Sequence, residues 1–460
     1  MKLLHYPEYK HSGLHWLGTI PTHWLEKRAK YYFKEIDERS QTGKEEMLSV
    51  SHITGVTPRS QKNVTMFKSE SNVGQKLCQP GDLVINTMWA WMSALGVANH
   101  DGIVSPAYGV YRPRNKQNYD NYFLDHLLRI EGYRSEYICR STGIRSSRLR
   151  LYPDKFLGMP VVCPPQEEQQ AITRFLKAQD HLFRKFTRNK RRLIELLKEQ
   201  KQNVINQAVT RGLNPHVKLK PSGVEWIGDI PEHWEAIRIK FLFKERDERK
   251  GNRPFELLSF SRSKGLVPFS QISSKPPSAT DLSTYKVCRL GYLLMNRMQA
   301  WSGMFTDVTM EGIVSPDYSV FEPIHPLSVA YFSHLFKTKR HVSEFAMASR
   351  GIGHGFNRLY TPVFGAIYTL FPPIKEQKAI VEFIGYETAL IDVAISRAER
   401  EIELMREYRT RLISDVVTGQ VDVRGIEVAE VAEDELLVLD EDNGESDDLI
   451  GDEEEMDDDD

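Results

Sequence analysis

Arginine is the residue type whose placement in this chain could do chemistry, and the chemistry would be recognition of a polyanion. Residues 129–155 hold seven Lys and Arg (Arg129, Arg134, Arg140, Arg145, Arg148, Arg150 and Lys155) against three acids, and residues 337–358 hold five against one, so each stretch carries a net +4. Two segments that differ in sequence but keep the same charge at matching places suit contact with phosphates; a solvated surface loop is the plainer alternative. Arginine can also pair with O6 and N7 of guanine, and asparagine with the edge of adenine. Arg145, Arg148 and Asn357 are therefore candidate base readers, with Arg134, Arg140, Arg150, Arg340, Arg350, His354 and Arg358 as further candidate DNA contacts. Residues 86–91 and 296–301 share the pattern Asn-x-Met-x-Ala-Trp, which reads as a strand edge feeding a loop, or as a frame from which Arg297 or Gln299 reaches DNA.

Other chemistry finds little support. There is no Gly-x-x-x-x-Gly-Lys phosphate loop, no Gly-x-Gly-x-x-Gly, no His-Glu-x-x-His and no Gly-x-Ser-x-Gly, so the common nucleotide, zinc-protease and serine-hydrolase sites are not indicated. Cys78, Cys139, Cys163 and Cys288 form neither a Cys-x-x-Cys pair nor a zinc spacing, and are expected to be small apolar residues rather than a disulfide framework or metal site. His23 and His233, each between a proline turn and a tryptophan, read as turn and packing residues. The glycine-rich 351–355 and its counterpart 143–147 read as surface loops.

The formal charge of −2 hides a division. Residues 427–460 hold 19 of the 63 acids and no Lys or Arg, leaving 61 basic against 44 acidic residues in the body, a net +17. A body that basic points to nucleic acid. The acidic tail is expected to be disordered and solubilising, or a polyanion that competes for the DNA surface. With no apolar run long enough for a leader or a membrane span, the expected location is the cytoplasm.

What positions these residues is a tandem duplication. Residues 12–24 match residues 222–234 at 8 of 13 positions, Gly102-Ile103-Val104-Ser105-Pro106 recurs as Gly312-Ile313-Val314-Ser315-Pro316, and Pro164-Pro165 with Glu168-Gln169 recurs as Pro372-Pro373 with Glu376-Gln377. After each double proline the apolar spacing predicts a long helix: Phe175, Leu182, Phe186, Leu193, Leu197, Val204 and Ala208 trace one face in the first. Between the repeats, 214–222 reads as a linker. Short strands broken by Gly and Pro, with helical patches near 122–128 and 330–337, make each globular part α+β and rich in β. The boundaries are 1–163 for the first part, 164–212 for the central helix, 213–371 for the second part, 372–420 for the distal helix and 427–460 for the tail.

Trp-x-Gly-x-Ile-Pro-x-His-Trp opening both halves, Gly-Ile-Val-Ser-Pro, and Pro-Pro-x-x-Glu-Gln-x-x-Ile starting both helices resemble the specificity subunit of type I restriction-modification systems across residues 12–425. The resemblance implies two target recognition domains, each reading one half of a split, asymmetric double-stranded DNA site, joined by two long helices that form an antiparallel coiled coil and fix the gap. It implies no catalysis in this chain. Two modification subunits would bring S-adenosylmethionine and methylate adenine, and restriction subunits would add ATP- and Mg-dependent translocation and cleavage, in defence against phage. Two other readings remain: a coiled-coil scaffold or DNA-binding protein outside restriction, without base-specific readout, and a methyltransferase or nuclease, which would need a cofactor loop not found here.

Overall fold

The structure, a computed structural model, describes residues 4–61, 71–143, 149–262, 264–273, 276–277, 279, 281–351 and 357–428. The tail assigned to 427–460 therefore falls almost wholly outside the described residues. The helices are α1 (Asn121–Arg129), α2 (Glu131–Arg140), α3 (Pro153–Leu157), α4 (Gln166–Arg211), α5 (Val329–Leu335), α6 (Lys339–Ala348), α7 (Thr361–Ala366) and α8 (Ile374–Val417). The chain forms two compact units, Met1–Arg191 with Glu399–Asp460 and Arg192–Ala398, so α4 and α8 each contribute to both.

In unit 1 a four-stranded antiparallel sheet runs in the order Phe33–Ile36, Gly109–Pro113, Leu83–Ile85, Leu95–Val97. Around it lie the hairpin Leu48–Ser51 with Gly55–Pro58, the pair Lys76–Cys78 with Gly102–Val104, and the pair Leu25–Arg28 with Pro160–Cys163. That last ladder closes everything between residues 29 and 159 into one excursion. Unit 2 repeats the plan: Phe243–Arg246, Tyr318–Pro323, Leu293–Asn296 and Phe305–Asp307 form the sheet, and Glu235–Arg238 with Tyr368–Phe371 closes the excursion. Short strands with all-buried patterns such as Leu83–Ile85 and Gly312–Val314 explain why alternation is hard to see in the sequence.

The two long helices start where proline and acid dictate. In α4, Glu167 and Glu168 sit in the first turn, favoured by the positive end of the helix dipole, and Gly212 at φ +78° ends it. In unit 1 α4 pairs with α8 through Phe183 against Tyr408 and through Lys190–Glu401 at 2.6 Å; in unit 2 Lys201 meets Asp392, also at 2.6 Å. The pairing is antiparallel. Asp180, buried in unit 1, is held by Arg184 (Nε to Oδ2, 2.7 Å) and by Arg409 of the other helix (Nε to Oδ1, 2.8 Å). Burial pushes its pKa up, but the two guanidiniums outweigh that and hold it below the usual carboxylate range.

The helix seam follows the expected one at its ends, where Phe175 and Ala208 are buried, and departs from it between them. Leu182 and Leu193, placed on the packed face by the sequence pattern, are 55% and 41% exposed, while Leu176, Phe183 and Ile194 are buried. Between those ends the buried positions lie one residue, about 100°, further round the helix.

Among the positions where the two cores differ, one places a buried titratable ring in unit 2. Tyr133 is buried in unit 1 and its hydroxyl accepts from the Val162 amide at 3.3 Å; unit 2 has His341 there, between Thr338 Oγ1 (3.1 Å) and Thr369 Oγ1 (3.2 Å). Burial drives the His341 pKa down to about 3. The fold accepts only the neutral ring, whereas the unfolded chain takes up a proton near pH 6.5. The stability contributed is thus complete above that pH and is lost as pH falls toward 3. Going from pH 7 to pH 5 is expected to cost about 2 kcal/mol through this residue, with His334, driven to about 4 by burial, acting in the same direction. Urea unfolding of the parent and His341→Tyr at both pH values checks this: the variant should lose less stability on acidification.

Candidate nucleic-acid interface

Both units build the same corner from the motifs that open the repeats. Glu168, in the first turn of α4, accepts from Trp24 Nε1 at 2.9 Å, from His23 Nε2 at 2.7 Å and from the Tyr6 hydroxyl. Glu376, in the first turn of α8, accepts from Trp234 Nε1 at 2.9 Å and His233 Nε2 at 2.7 Å. The adjacent glutamines close the joint: Gln169 accepts from the Asp120 amide and donates to the Pro164 carbonyl, both at 2.8 Å, and Gln377 does the same with Ser328 and Pro372. Gly419 must lack a side chain, since a Cβ there would lie 2.5 Å from Pro21 and 3.0 Å from the Trp24 ring. His23 and His233 thus orient a helix end rather than a substrate.

A second cluster in each unit is a hydrogen-bonded turn. In unit 1 the Asn86 carboxamide accepts from the Met88 amide at 3.2 Å, Trp91 Nε1 donates to the Met88 carbonyl at 3.0 Å, and Ala90 is buried beneath. In unit 2 Asn296, Met298, Ala300 and Trp301 repeat this at 3.1 and 2.9 Å. The shared Asn-x-Met-x-Ala-Trp pattern is therefore the turn's own scaffold. Its remaining positions vary: Trp89 is 38% exposed in unit 1, where unit 2 has Gln299.

Two further loops hang from that turn. Thr87 Oγ1 donates to the Ala107 carbonyl at 2.8 Å, and the Thr87 carbonyl accepts from the Leu151 amide at 2.9 Å. Leu151 follows a bridge in which Thr142 and Arg150 exchange two backbone hydrogen bonds of 3.0 Å. In unit 2 Arg297 takes the place of Thr87, donating to the carbonyls of Pro316 (2.8 Å) and Asp317 (3.0 Å), and its own carbonyl receives the Leu359 amide at 3.0 Å. There the bridge is Arg350 with Arg358. So the basic stretch, the Gly-Ile-Val-Ser-Pro segment and the Asn-x-Met turn, far apart in sequence, meet at one place in each unit.

The arginines found from the sequence divide by what their donors do. Arg150 and Arg350 are exposed at the two bridges, and Asn357 is exposed beside Arg358, whose Nη2 lies 3.6 Å from Asp317. Arg145, Arg148 and His354 lie outside the described residues. Arg134 and Arg140 are on α2, paired with Glu131 (3.0 Å) and Glu136 (2.7 Å), and Arg134 also donates to the Trp91 carbonyl. The exposed Arg134–Glu131 pair is worth at most about 1 kcal/mol, whereas Arg140–Glu136 is partly buried. Arg297 braces its loop. Arg340 lies elsewhere, donating to the Ile227 carbonyl.

Sequence reading did not single out Tyr152 and Tyr360, 47% and 50% exposed directly after the two bridges. Their signal was available: Leu-Tyr recurs at the 208-residue shift within an otherwise divergent stretch. Exposed aromatic rings beside arginines suit the sugars and bases of a nucleic acid. Among the described residues no group of three or more His, Cys, Asp or Glu could hold a metal ion, and no helix is long and apolar enough to cross a membrane.

Two proteins of Methanocaldococcus jannaschii are similar in sequence along most of the chain. One, named as the type I restriction enzyme MjaX specificity subunit, is 24% identical over 333 residues, 67% of this chain and 70% of its own length; the other, the MjaVIII specificity subunit, is 22% identical over 343 residues, 71% and 76%. The chain is a relative of type I restriction specificity subunits. A solved chain from a study of complex assembly and conformational transition of the type I R-M system superposes with a TM-score of 0.62 at 14% identity, covering 87% of this chain and 99% of that one. That likeness is one of fold: two sheet-rich units with a pair of long helices. No family model matches the sequence.

Proposed function

We propose that this chain is the DNA-reading subunit of a type I restriction-modification complex, in which each unit reads one half of a bipartite, asymmetric site and the long helices fix the gap. The observation that carries the reading is the face made twice from three hydrogen-bonded loops, with exposed arginine and tyrosine at the bridges and different residues in the variable positions. Two unlike faces on one chain suit two unlike half-sites. A scaffold without DNA contact would leave that repeated basic, aromatic face without a role.

Catalysis in this account belongs to partners. Modification subunits bind S-adenosylmethionine and methylate adenine, and restriction subunits use ATP and Mg. Their docking is favoured by apolar side chains that the helix pairing leaves uncovered: Tyr386, Leu390 and Val393 of α8 in unit 2 are 66%, 56% and 69% exposed, and Leu404 in unit 1 is 46% exposed. Patches of this kind mark protein contact sites. The complex operates in the cytoplasm, where its DNA is.

Duplex binding measured across salt concentration tests the face. Arg150→Ala and Arg350→Ala are each expected to weaken binding, with the salt slope falling by about 1 if a phosphate contact is lost. A base-reading arginine instead relaxes preference at one position, at about 1 to 3 kcal/mol. Unchanged affinity in both variants at low salt would remove the face from the account.

A further inference from the structure

A cavity of about 220 Å³ lies in unit 2 between the last turns of α4 and the first turn of α6. Its apolar side includes Trp226, Ile230 and Leu370, and Arg211, Lys339 and Arg340 stand around it with Asp229 as the one carboxylate. Unit 1 provides an internal comparison. There Gly132 stands where unit 2 has Arg340, and Trp16 lies so close that a Cβ on Gly132 would come within 2.1 Å of the indole ring. Arg340 precludes that contact. Its guanidinium instead holds the Ile227 carbonyl, and Trp226 sits edge-on to His341 with ring centroids 4.9 Å apart.

The charges around the cavity are not needed for the shared fold. Lys339 corresponds to Glu131 and Arg340 to Gly132, and α8 has no basic residue in its last turn where α4 ends in Arg211. The start of α6 adds to the positive field. Thr338 precedes it without capping its amides, because the hydroxyl donates to the Leu335 carbonyl at 2.7 Å and faces His341 Nδ1. An apolar wall with a rim carrying three cations against one carboxylate selects a molecule with an apolar body and a negative group.

We propose that unit 2 binds a small organic anion, a carboxylate, sulfonate or phosphate carried on an aromatic or aliphatic body, in the cavity between the end of α4 and the start of α6. None of the residues lining this cavity belongs to the three-loop face, and the proposal does not depend on DNA reading. The test uses the full chain without DNA, titrated with 4-fluorobenzenesulfonate and followed by fluorine NMR, with 4-fluorobenzyl alcohol as the uncharged counterpart. Saturable binding of the sulfonate, and weaker binding of the alcohol, is the expected result. Arg211→Gln and Lys339→Gln, both at exposed positions that the fold tolerates, should each weaken the sulfonate by about tenfold. Asn206→Trp, which fills the cavity, should abolish binding while the thermal unfolding profile shows an intact protein. Absence of saturable binding, equal binding of both probes, or affinity indifferent to Arg211 and Lys339 would each overturn the proposal; if Asn206→Trp fails to fold, the two charge variants decide.

Discussion

Exchanging residues 29–159 for the corresponding excursion of a related specificity subunit is expected to change one half of the methylated DNA sequence and leave the other half untouched. The boundaries follow from the fold. Leu25–Arg28 pairs with Pro160–Cys163, so the excursion leaves and re-enters the unit through one ladder. The exchange keeps Tyr6, His23, Trp24 and Glu168, which seat the start of α4. It replaces the Asn86 turn, the Ser105 loop and the Arg150 loop together, and these depend on one another for hydrogen bonds. Moving one loop alone would strand its partners' donors and acceptors. Adenine methylation mapped in cells carrying the exchanged chain and its modification partners checks the result; a change in both halves, or in neither, would count against two independent readers.

Glu168→Ala is expected to be among the most destabilising single substitutions in the chain. The carboxylate is 4% exposed and is the acceptor for the buried Trp24 indole and the Tyr6 hydroxyl. Removing it leaves both donors buried without an acceptor, at about 1 to 3 kcal/mol each, so a loss of about 4 kcal/mol is a large part of the roughly 5 to 15 kcal/mol that holds a domain together. Glu376→Ala should cost about half as much, because the Glu376 side chain is 26% exposed and water can replace it. Urea denaturation of the two variants measures the difference. Equal midpoints, both close to the parent, would mean that the corners do not fasten the helices to the units.

How much of this could be read in advance depended on whether the signal was local. The long helices were legible because double proline, first-turn acids and a terminal glycine are local signals, and the α+β duplication was legible because the repeats kept their motifs. The function of those motifs was not. Glu168 lies 144 residues from Trp24, and only the folded chain shows that the matching Glu-Gln and His-Trp pairs are two sides of one joint. α2 and α6 are not legible in the sequence, because Gly132 and the short apolar spacing around Tyr133 and Phe345 obscure the helical period. Arg297 and Arg340 show the limit of counting cations, since one braces a loop and the other a turn. Arg150 and Arg350 could be named from sequence, but their place depends on backbone bridges that no spacing reveals.

The central claim is that this chain chooses the DNA sequence, in two halves, for enzymes that act on it. Single-molecule sequencing of DNA from cells that express the modification subunits with and without this chain tests that claim most directly. The account predicts adenine methylation only when the chain is present, within a motif of two defined blocks separated by a fixed number of unspecified bases. Methylation that persists without the chain, or a single uninterrupted motif in its presence, would contradict it.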